Sequence, residues 1–147
     1  MSDVVLLEPV NAFIEQAIEL SSAWRGLNDN SKSVTFLEGT LQAYDPSSRL
    51  SSEVKLLGRK GYPGDSDTDS AFDVIWCQWC LGHLSDPDLI TFFRQCKKAL
   101  RGNTNDVNTL TRKGSPAVII VKENLCLDAE DGGPDQSYDP EDASFTR

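Results

Sequence analysis

Residues 72–89 read FDVIWCQWCLGHLSDPDL. This stretch sets Trp76, Cys77, Gln78, Trp79, Cys80 and the chain's sole histidine, His83, around the end of one apolar run. Each type has its own chemistry. The Gln78 amide can donate and accept hydrogen bonds, and an indole at a strand end can stack on a ligand. An imidazole exchanges protons near neutral pH. Elsewhere Glu8 closes another apolar run, and a carboxylate there can take two hydrogen bonds from a ribose diol. Gln42, Asn124 and the tail acids Asp139, Glu141 and Asp142 add further polar groups. Each has an ordinary reading as well. Glu8 can face solvent, Gln78 can end a strand, and His83 can be a hydrogen-bonded structural residue. The tail acids can be solvated charge. Trp76, with more apolar neighbours, is expected in the core. Strand alternation would point Trp76 and Trp79 to opposite faces.

Cys77 and Cys80 form a C-x-x-C. A redox pair favours a first cysteine at a helix N-terminus, and Cys77 lies within a strand pattern. A zinc site needs about four ligands in paired spacing. Cys96 and Cys126 are single, so all four cysteines are read as buried thiols and no metal is expected.

The elements that must hold these groups follow from periodicity. Residues 4–7, VVLL, are an unbroken apolar run, as in a strand buried on both faces. Val10, Phe13, Ala17, Leu20 and Trp24 recur at helical steps. Residues 33–37, SVTFL, read as a second strand, and TLQAY leaves its end. Residues 45–70 shift to Ser, Gly, Asp and Pro. Gly58, Gly61 and Gly64 lie there without the strand and helix that a phosphate loop needs, so 45–70 is read as a surface insertion. Residues 72–79 form the third strand.

Ser85, Pro87 and Asp88 then supply a helix cap, a first-turn proline and an acid three residues past the cap. Leu89, Phe92, Phe93, Cys96 and Leu100 mark the apolar face of that helix. Lys97, Lys98 and Arg101 suit its carboxyl end, and Gly102 stops it. Residues 103–116 are a second polar insertion and 117–121, AVIIV, a fourth strand. Residues 125–147 read as a flexible acidic tail. Buried runs alternating with helices give an α/β fold with a mostly parallel sheet. Ligands of such sheets bind at the carboxyl ends of strands, where Glu8, Gln42, Gln78, His83 and Asn124 fall.

Composition bounds the partners. The chain has 147 residues, 39% hydrophobic and 25% charged, with a net charge of -9. Its mean hydropathy is -0.36 and its pI about 4.5. That is the composition of one soluble domain. The charge repels nucleic acid and favours basic partners. No run approaches the ~20 apolar residues of a membrane span, and the N-terminus lacks a basic secretory region. Neither a nucleic-acid nor a membrane partner is expected. Four cysteines without a secretory signal fit a cytoplasmic or nuclear setting.

Taken together, these residues resemble the α-N-terminal protein methyltransferases. FDVIWCQWCLGHLSDPDLITFFRQCKKALR resembles that family's Asp-Val-Ile-Trp-x-Gln-Trp-x-x-Gly-His-Leu-x-Asp pattern. VIIVKENLC resembles its strand ending in Lys-Asp/Glu-Asn, and DPEDASFTR its Asp-x-x-Asp-Ser-Ser-x-x-Arg. LLEPVNAF and GTLQAY match adjoining motifs. The resemblance implies a partial class I methyltransferase (Rossmann-like) domain over residues 1–147. It implies S-adenosylmethionine as cofactor and Xaa-Pro-Lys protein N-termini as substrates. It also implies roles: Glu8 on the cofactor ribose, Leu41 and Gln42 beside the adenine, and Gln78 near the methionine part. Trp79, Asn124 and Asp139 would line the substrate channel, and His83 and Asp142 would accept a proton from the incoming ammonium. On this reading the tail is a substrate wall.

The family's glycine-rich loop would lie ahead of Glu8, and no Gly-x-Gly precedes it. The chain is therefore expected to be a fragment. A central strand between those ending at Glu8 and Gln78 is expected to be missing, and the chain alone is expected to bind cofactor weakly or not at all. A non-catalytic protein on the same scaffold that binds basic N-termini, or a methyltransferase with another substrate, are the rival readings.

Overall fold

A computed structural model describes residues 3–29, 31–48, 53–61, 71–102, 116–123, 138–139 and 144–145. It is a mixed α/β protein that divides into two compact units, residues 1–70 and 71–147.

The first unit opens with β1 (Asp3–Glu8), α1 (Asn11–Leu20) and β2 (Ser33–Glu38). β1 and β2 pair in parallel, from Asp3 opposite Ser33 to Glu8 opposite Glu38. Parallel neighbours need a crossover, and α1 supplies it. The helix turns a different face to the sheet from the one its largest side chains mark. Ile14 is fully buried and packs with Val34 and Phe36, with Leu6, Ala17, Ile18, Leu27 and Leu57 around them. Phe13 is 62% exposed, and Val10 and Leu20 also face outward. The α1 sequence carries two apolar stripes at helical spacing, and the 14–17–18 stripe is the one that packs on Val34, Phe36, Leu6 and Leu57.

Residues 45–70 hold a strand that their composition conceals. β3 (Lys55–Gly61) pairs antiparallel with β2. Gly58 lies within it and Gly61 closes it, so the glycine spacing serves a strand end. At Gly61 φ is +90°, and a Cβ would stand 2.0 Å from the Lys32 carbonyl oxygen. Only glycine meets both conditions without strain. The ladder slips between Phe36 and Leu37, whose partners are Gly58 and Leu56. Leu57 is the extra residue of this bulge and joins the core, while Leu56 is 63% exposed. Polar contacts tie the three strands. Ser33 is buried and donates from its hydroxyl to Asp3, and Arg59 donates to Ser33 at 3.1 Å. Lys60 Nζ donates to the Ile18 carbonyl at 2.6 Å, near the carboxyl end of α1.

The second unit holds β4 (Val74–Gln78), a 3₁₀ turn (Leu81–His83), α2 (Asp86–Ala99) and β5 (Val118–Lys122). Ser85 caps α2: its Oγ accepts from the Asp88 N–H at 3.3 Å and donates to Asp88 Oδ2 at 2.6 Å. Phe92, Cys96 and Ala99 form the buried face of α2. Leu100 is the C-cap, and Gly102 follows two residues later with φ 82°. Phe72 returns beside Leu100, fixed by the Arg101–Asp73 ion pair at 2.6 Å. β4 and β5 are parallel, with Gln78 opposite Lys122.

Within residues 125–147, read from composition as a tail, β6 (Tyr138–Asp139) and β7 (Ser144–Phe145) pair antiparallel, and β7 runs beside the 3₁₀ turn. Among the described residues β1 and β4 each have a strand on one side only. No described helix is long and apolar enough to cross a membrane. The second polar insertion, apart from Pro116, lies outside the described residues.

Packing at α1 yields a direct test. Ile14→Ala should destabilise the protein by about 2–5 kcal/mol, the cost of a large-to-small change in a closed core. Phe13→Ala, on the outward stripe, should cost less than about 1 kcal/mol. Urea denaturation followed by far-UV circular dichroism separates the two, and equal losses would contradict the observed helix face.

Candidate functional site

In the first unit the polar groups collect past the carboxyl ends of β1 and β2. Glu8 is half-buried, and its Oε1 accepts the Val10 N–H at 2.9 Å. That bond holds the carboxylate at the entry to α1, a helix without a side-chain cap. The Glu8 carbonyl accepts the Gly39 N–H at 3.2 Å, which draws the two strand ends together. Beyond Gly39, Thr40 closes a tight turn. Its carbonyl accepts from the Ala43 and Tyr44 N–H groups at 3.2 and 3.1 Å, and buried Tyr44 anchors the turn. Leu41 is half-buried and Gln42 exposed on this turn.

In the second unit the β4–β5 register decides the geometry. Because Gln78 faces Lys122 across the ladder, the residues after each strand also meet. The Trp79 N–H donates to the Lys122 carbonyl at 3.0 Å. Lys122 Nζ lies 4.5 Å from the centre of the Trp79 ring, a cation–π contact. Glu123 Oε1 accepts two backbone N–H groups, from Cys80 and Leu81, at 2.9 Å each. Trp79 itself has φ 53°, the sole positive φ among described non-glycine residues. That left-handed conformation costs a bulky side chain about 1–2 kcal/mol, and the contacts around it must offset the cost. Together they turn the chain sharply from β4 into the 3₁₀ turn.

Gln78, Trp79 and His83 are all exposed around this turn. Trp76 departs from its expected place in the core. It is 58% exposed, on the same strand face as Gln78, and its Nε1 donates to Gln78 Oε1 at 3.2 Å. The bond satisfies the indole and fixes the amide, so the Gln78 NH₂ is the end offered outward. The alternation argument for Trp79 also fails, since its left-handed backbone lies beyond the strand.

On the opposite β4 face Cys77 is buried, as is Cys96 of α2, whereas Cys80 is half-buried. The influence of Cys80, with burial, pushes the Cys77 thiol up, and the influence of Cys77 lowers Cys80 against the opposing effects of burial and Glu123. Cys126 lies outside the described residues. The described residues contain no group of three or more His, Cys, Asp or Glu able to hold a metal ion.

The expected site residues thus fall in two sets. Glu8, Leu41 and Gln42 belong to the first unit. Gln78, Trp79 and His83 belong to the second, where the strand carrying Asp139 pairs with the one beside the His83 turn. Asn124 and Asp142 lie outside the described residues. Sequence reasoning passed over Glu123, although its place in Lys-Glu-Asn, one step past a parallel strand end, marks it as a group able to reach the neighbouring turn.

The profile of a family described as AdoMet dependent proline di-methyltransferase matches residues 1–147. The chain is 33% identical over 147 residues to alpha N-terminal protein methyltransferase 1 of Arabidopsis thaliana, covering 99% of this chain and 38% of that protein. It is 30% identical over 136 residues to the protein of the same name from Oryza sativa subsp. indica, covering 88% and 33%. It is 34% identical over 84 residues to N-terminal Xaa-Pro-Lys N-methyltransferase 1-B of Xenopus laevis, covering 55% and 32%. The chain therefore spans about a third of the length of these relatives. No solved structure matches it.

Glu123 gives the prediction of this geometry. Glu123→Ala removes a charged acceptor from two N–H groups and should cost about 1.5–3 kcal/mol. Glu123→Gln keeps a carbonyl acceptor and should recover more than half of that loss. Urea denaturation followed by tryptophan fluorescence measures both; an unchanged midpoint in the alanine variant would remove Glu123 from this role.

Proposed function

The chain belongs to the AdoMet dependent proline di-methyltransferase family, and from that premise we propose that it is part of an enzyme that methylates the α-amino group of proteins beginning Xaa-Pro-Lys. The observation that carries the reading is the exposed Gln78–Trp79–His83 group at the carboxyl end of β4, inside the run that resembles the family's Gln-Trp-x-x-Gly-His pattern.

The residues present fit S-adenosylmethionine in chemical type. Glu8 offers carboxylate oxygens to a ribose diol, at the end of a parallel strand. Leu41 offers an apolar edge and Gln42 an amide beside an adenine. Gln78, its oxygen taken by Trp76, offers NH₂ donors to the carboxylate of the methionine part. When bound, that cofactor supplies an electrophilic methyl group.

The chain's own residues would prepare the amine. A protein α-amine titrates near pH ~8, so at neutral pH most of it is the non-nucleophilic ammonium. His83 can take that proton on a ring nitrogen, directly or through water, with Asp142 as a second acceptor. The Trp79 ring gives the peptide an apolar wall, and Asn124 can hold the amine or a backbone group. Asp139 and the net charge of -9 favour the cationic terminus and the lysine at the third position. The targets would be protein N-termini of the cytoplasm or nucleus.

The test uses the protein at its natural length, a peptide beginning Xaa-Pro-Lys and labelled cofactor. Label should enter the α-amine and vanish when that amine is acetylated beforehand. Label on the lysine side chain of a blocked peptide would overturn the assignment, and tight peptide binding without transfer would replace it by the non-catalytic reading. His83→Ala and Asp142→Asn should each lower kcat by roughly 10²-fold, as loss of a positioned proton acceptor does, with little change in cofactor Kd. A variant that lost cofactor binding while single-turnover chemistry survived would remove its residue from the proton-accepting role.

A further inference from the structure

We propose that Lys122 is a positioning residue for the peptide: its ammonium holds the Trp79 ring by one face and sets the other face for the incoming N-terminus. Taking Trp79 as a wall of the substrate channel rests on the proposed function. Neither the family description nor the relatives' names assign any role to this lysine.

Charge makes Lys122 stand out. The chain carries a net charge of -9, and the proposed substrate is a cationic terminus with a lysine at its third position. An ammonium beside the channel opposes both cations, so attraction of the substrate does not account for it. The surroundings of Lys122 do. It is the register partner of Gln78, at the carboxyl ends of β4 and β5. The Gln78 side chain has one acceptor atom, and Trp76 Nε1 already donates to it at 3.2 Å. Glu123, the nearest acid along the chain, has Oε1 engaged by the Cys80 and Leu81 N–H groups at 2.9 Å each. Among the described residues Lys122 makes no ion pair. Its ammonium lies instead 4.5 Å from the centre of the Trp79 ring.

Trp79 needs such a hold. It is 56% exposed and lies one residue past the end of β4. Its backbone is fixed by the left-handed kink, φ 53°, and by the N–H that it donates to the Lys122 carbonyl at 3.0 Å. Neither of these sets the side-chain torsions of the indole. A cation over one face does restrict them, because the ring quadrupole is negative on its faces and positive at its edge. Lys122 thus holds the Trp79 backbone through its carbonyl and the ring through its ammonium. A ring already held in one orientation loses less freedom when a peptide covers its open face, and binding is tighter for it. The repulsion between cations on opposite sides of an exposed ring is screened by water and salt.

Two substitutions separate this role from plain charge. Lys122→Leu removes the cation but keeps an apolar stem and the backbone carbonyl. Lys122→Arg keeps a cation that stacks on aromatic faces. The protein at its natural length is labelled with 5-fluorotryptophan, and Trp79→Phe identifies the Trp79 fluorine signal. A peptide beginning Xaa-Pro-Lys is titrated by calorimetry, and methyl transfer to it is followed separately. Lys122→Leu should move the Trp79 signal and leave that of Trp24 in place. It should weaken peptide binding about two- to ten-fold and raise the peptide KM in step, with kcat and the Kd for S-adenosylhomocysteine unchanged. Lys122→Arg should restore the signal and bring the affinity within about two-fold of the unaltered protein. All three proteins should melt within about 3 °C of one another. Tighter peptide binding by the leucine variant would make Lys122 a repelling charge only and would overturn the proposal. An unmoved Trp79 signal, an unchanged peptide affinity, or an arginine variant no better than leucine would overturn it as well. If the unaltered protein binds the peptide without methyl transfer, the catalytic reading fails while the binding comparison still decides the role of Lys122. An unaltered protein with no affinity for the peptide overturns both.

Discussion

One carboxylate oxygen, Glu123 Oε1, accepts the N–H groups of Cys80 and Leu81, and the geometry of the second unit follows from it. A strand leaving a sheet strips its next N–H groups of ladder partners, and such groups are costly when left unmet. Glu123 can meet them because the parallel register sets Lys122 opposite Gln78. The same register places the Lys122 carbonyl on the Trp79 N–H and the Lys122 ammonium over the Trp79 ring. A bulky residue in left-handed backbone and an exposed histidine turn are two outcomes of one strand pairing.

The first unit solves a similar problem by other means. Its polar groups also gather past parallel strand ends, but backbone closes the turns there. Glu8 is held by the Val10 N–H, its carbonyl by Gly39, and the 40–44 turn by the Thr40 carbonyl. A carboxylate steadied by one hydrogen bond retains acceptor sites, which is the state required of a ligand-facing group. The first unit thus offers acceptors at Glu8, held by local backbone, and the second offers donors at Gln78, oriented by the Trp76 indole.

Where local signals were dense, the sequence was readable. Ser85, Pro87 and Asp88 announce α2 because cap and first-turn proline are chemical requirements of a helix start. The parallel α/β class followed from unbroken apolar runs flanking amphipathic ones. Other features depend on partners that local pattern does not name. The α1 sequence has two apolar stripes, and which one is buried depends on the β2 and β3 side chains it meets. KLLGRKG lacks the alternation of a half-buried strand, since a bulge and two glycines interrupt it. Trp76 has apolar neighbours in sequence but a solvent-facing position in the fold. β6 and β7 are two residues each, too short to show a period. Among the site residues, the positions of Gln78 and His83 were legible from where the strand ends, but the Trp79 conformation was not, because it is imposed by Lys122 and Glu123 more than 40 residues on.

The β2–β3 bulge bears on how this chain can change length. Gly58 and Lys60 stand across from Phe36 and Val34, and strict alternation beyond Gly58 would set Leu56, not Leu57, on that face. The extra residue rotates Leu57 into the core and leaves Lys55 across from Glu38, where the two pair at 3.5 Å. Insertions and deletions are then unequal along the hairpin. Residues added between 39 and 54 lengthen a connection at the cost of a little closure entropy. Loss of Leu56 would remove the bulge and turn Leu57 to the other face of the strand, across from Leu37. The segment with the loosest composition in the chain therefore contains a bulge whose residue count is fixed.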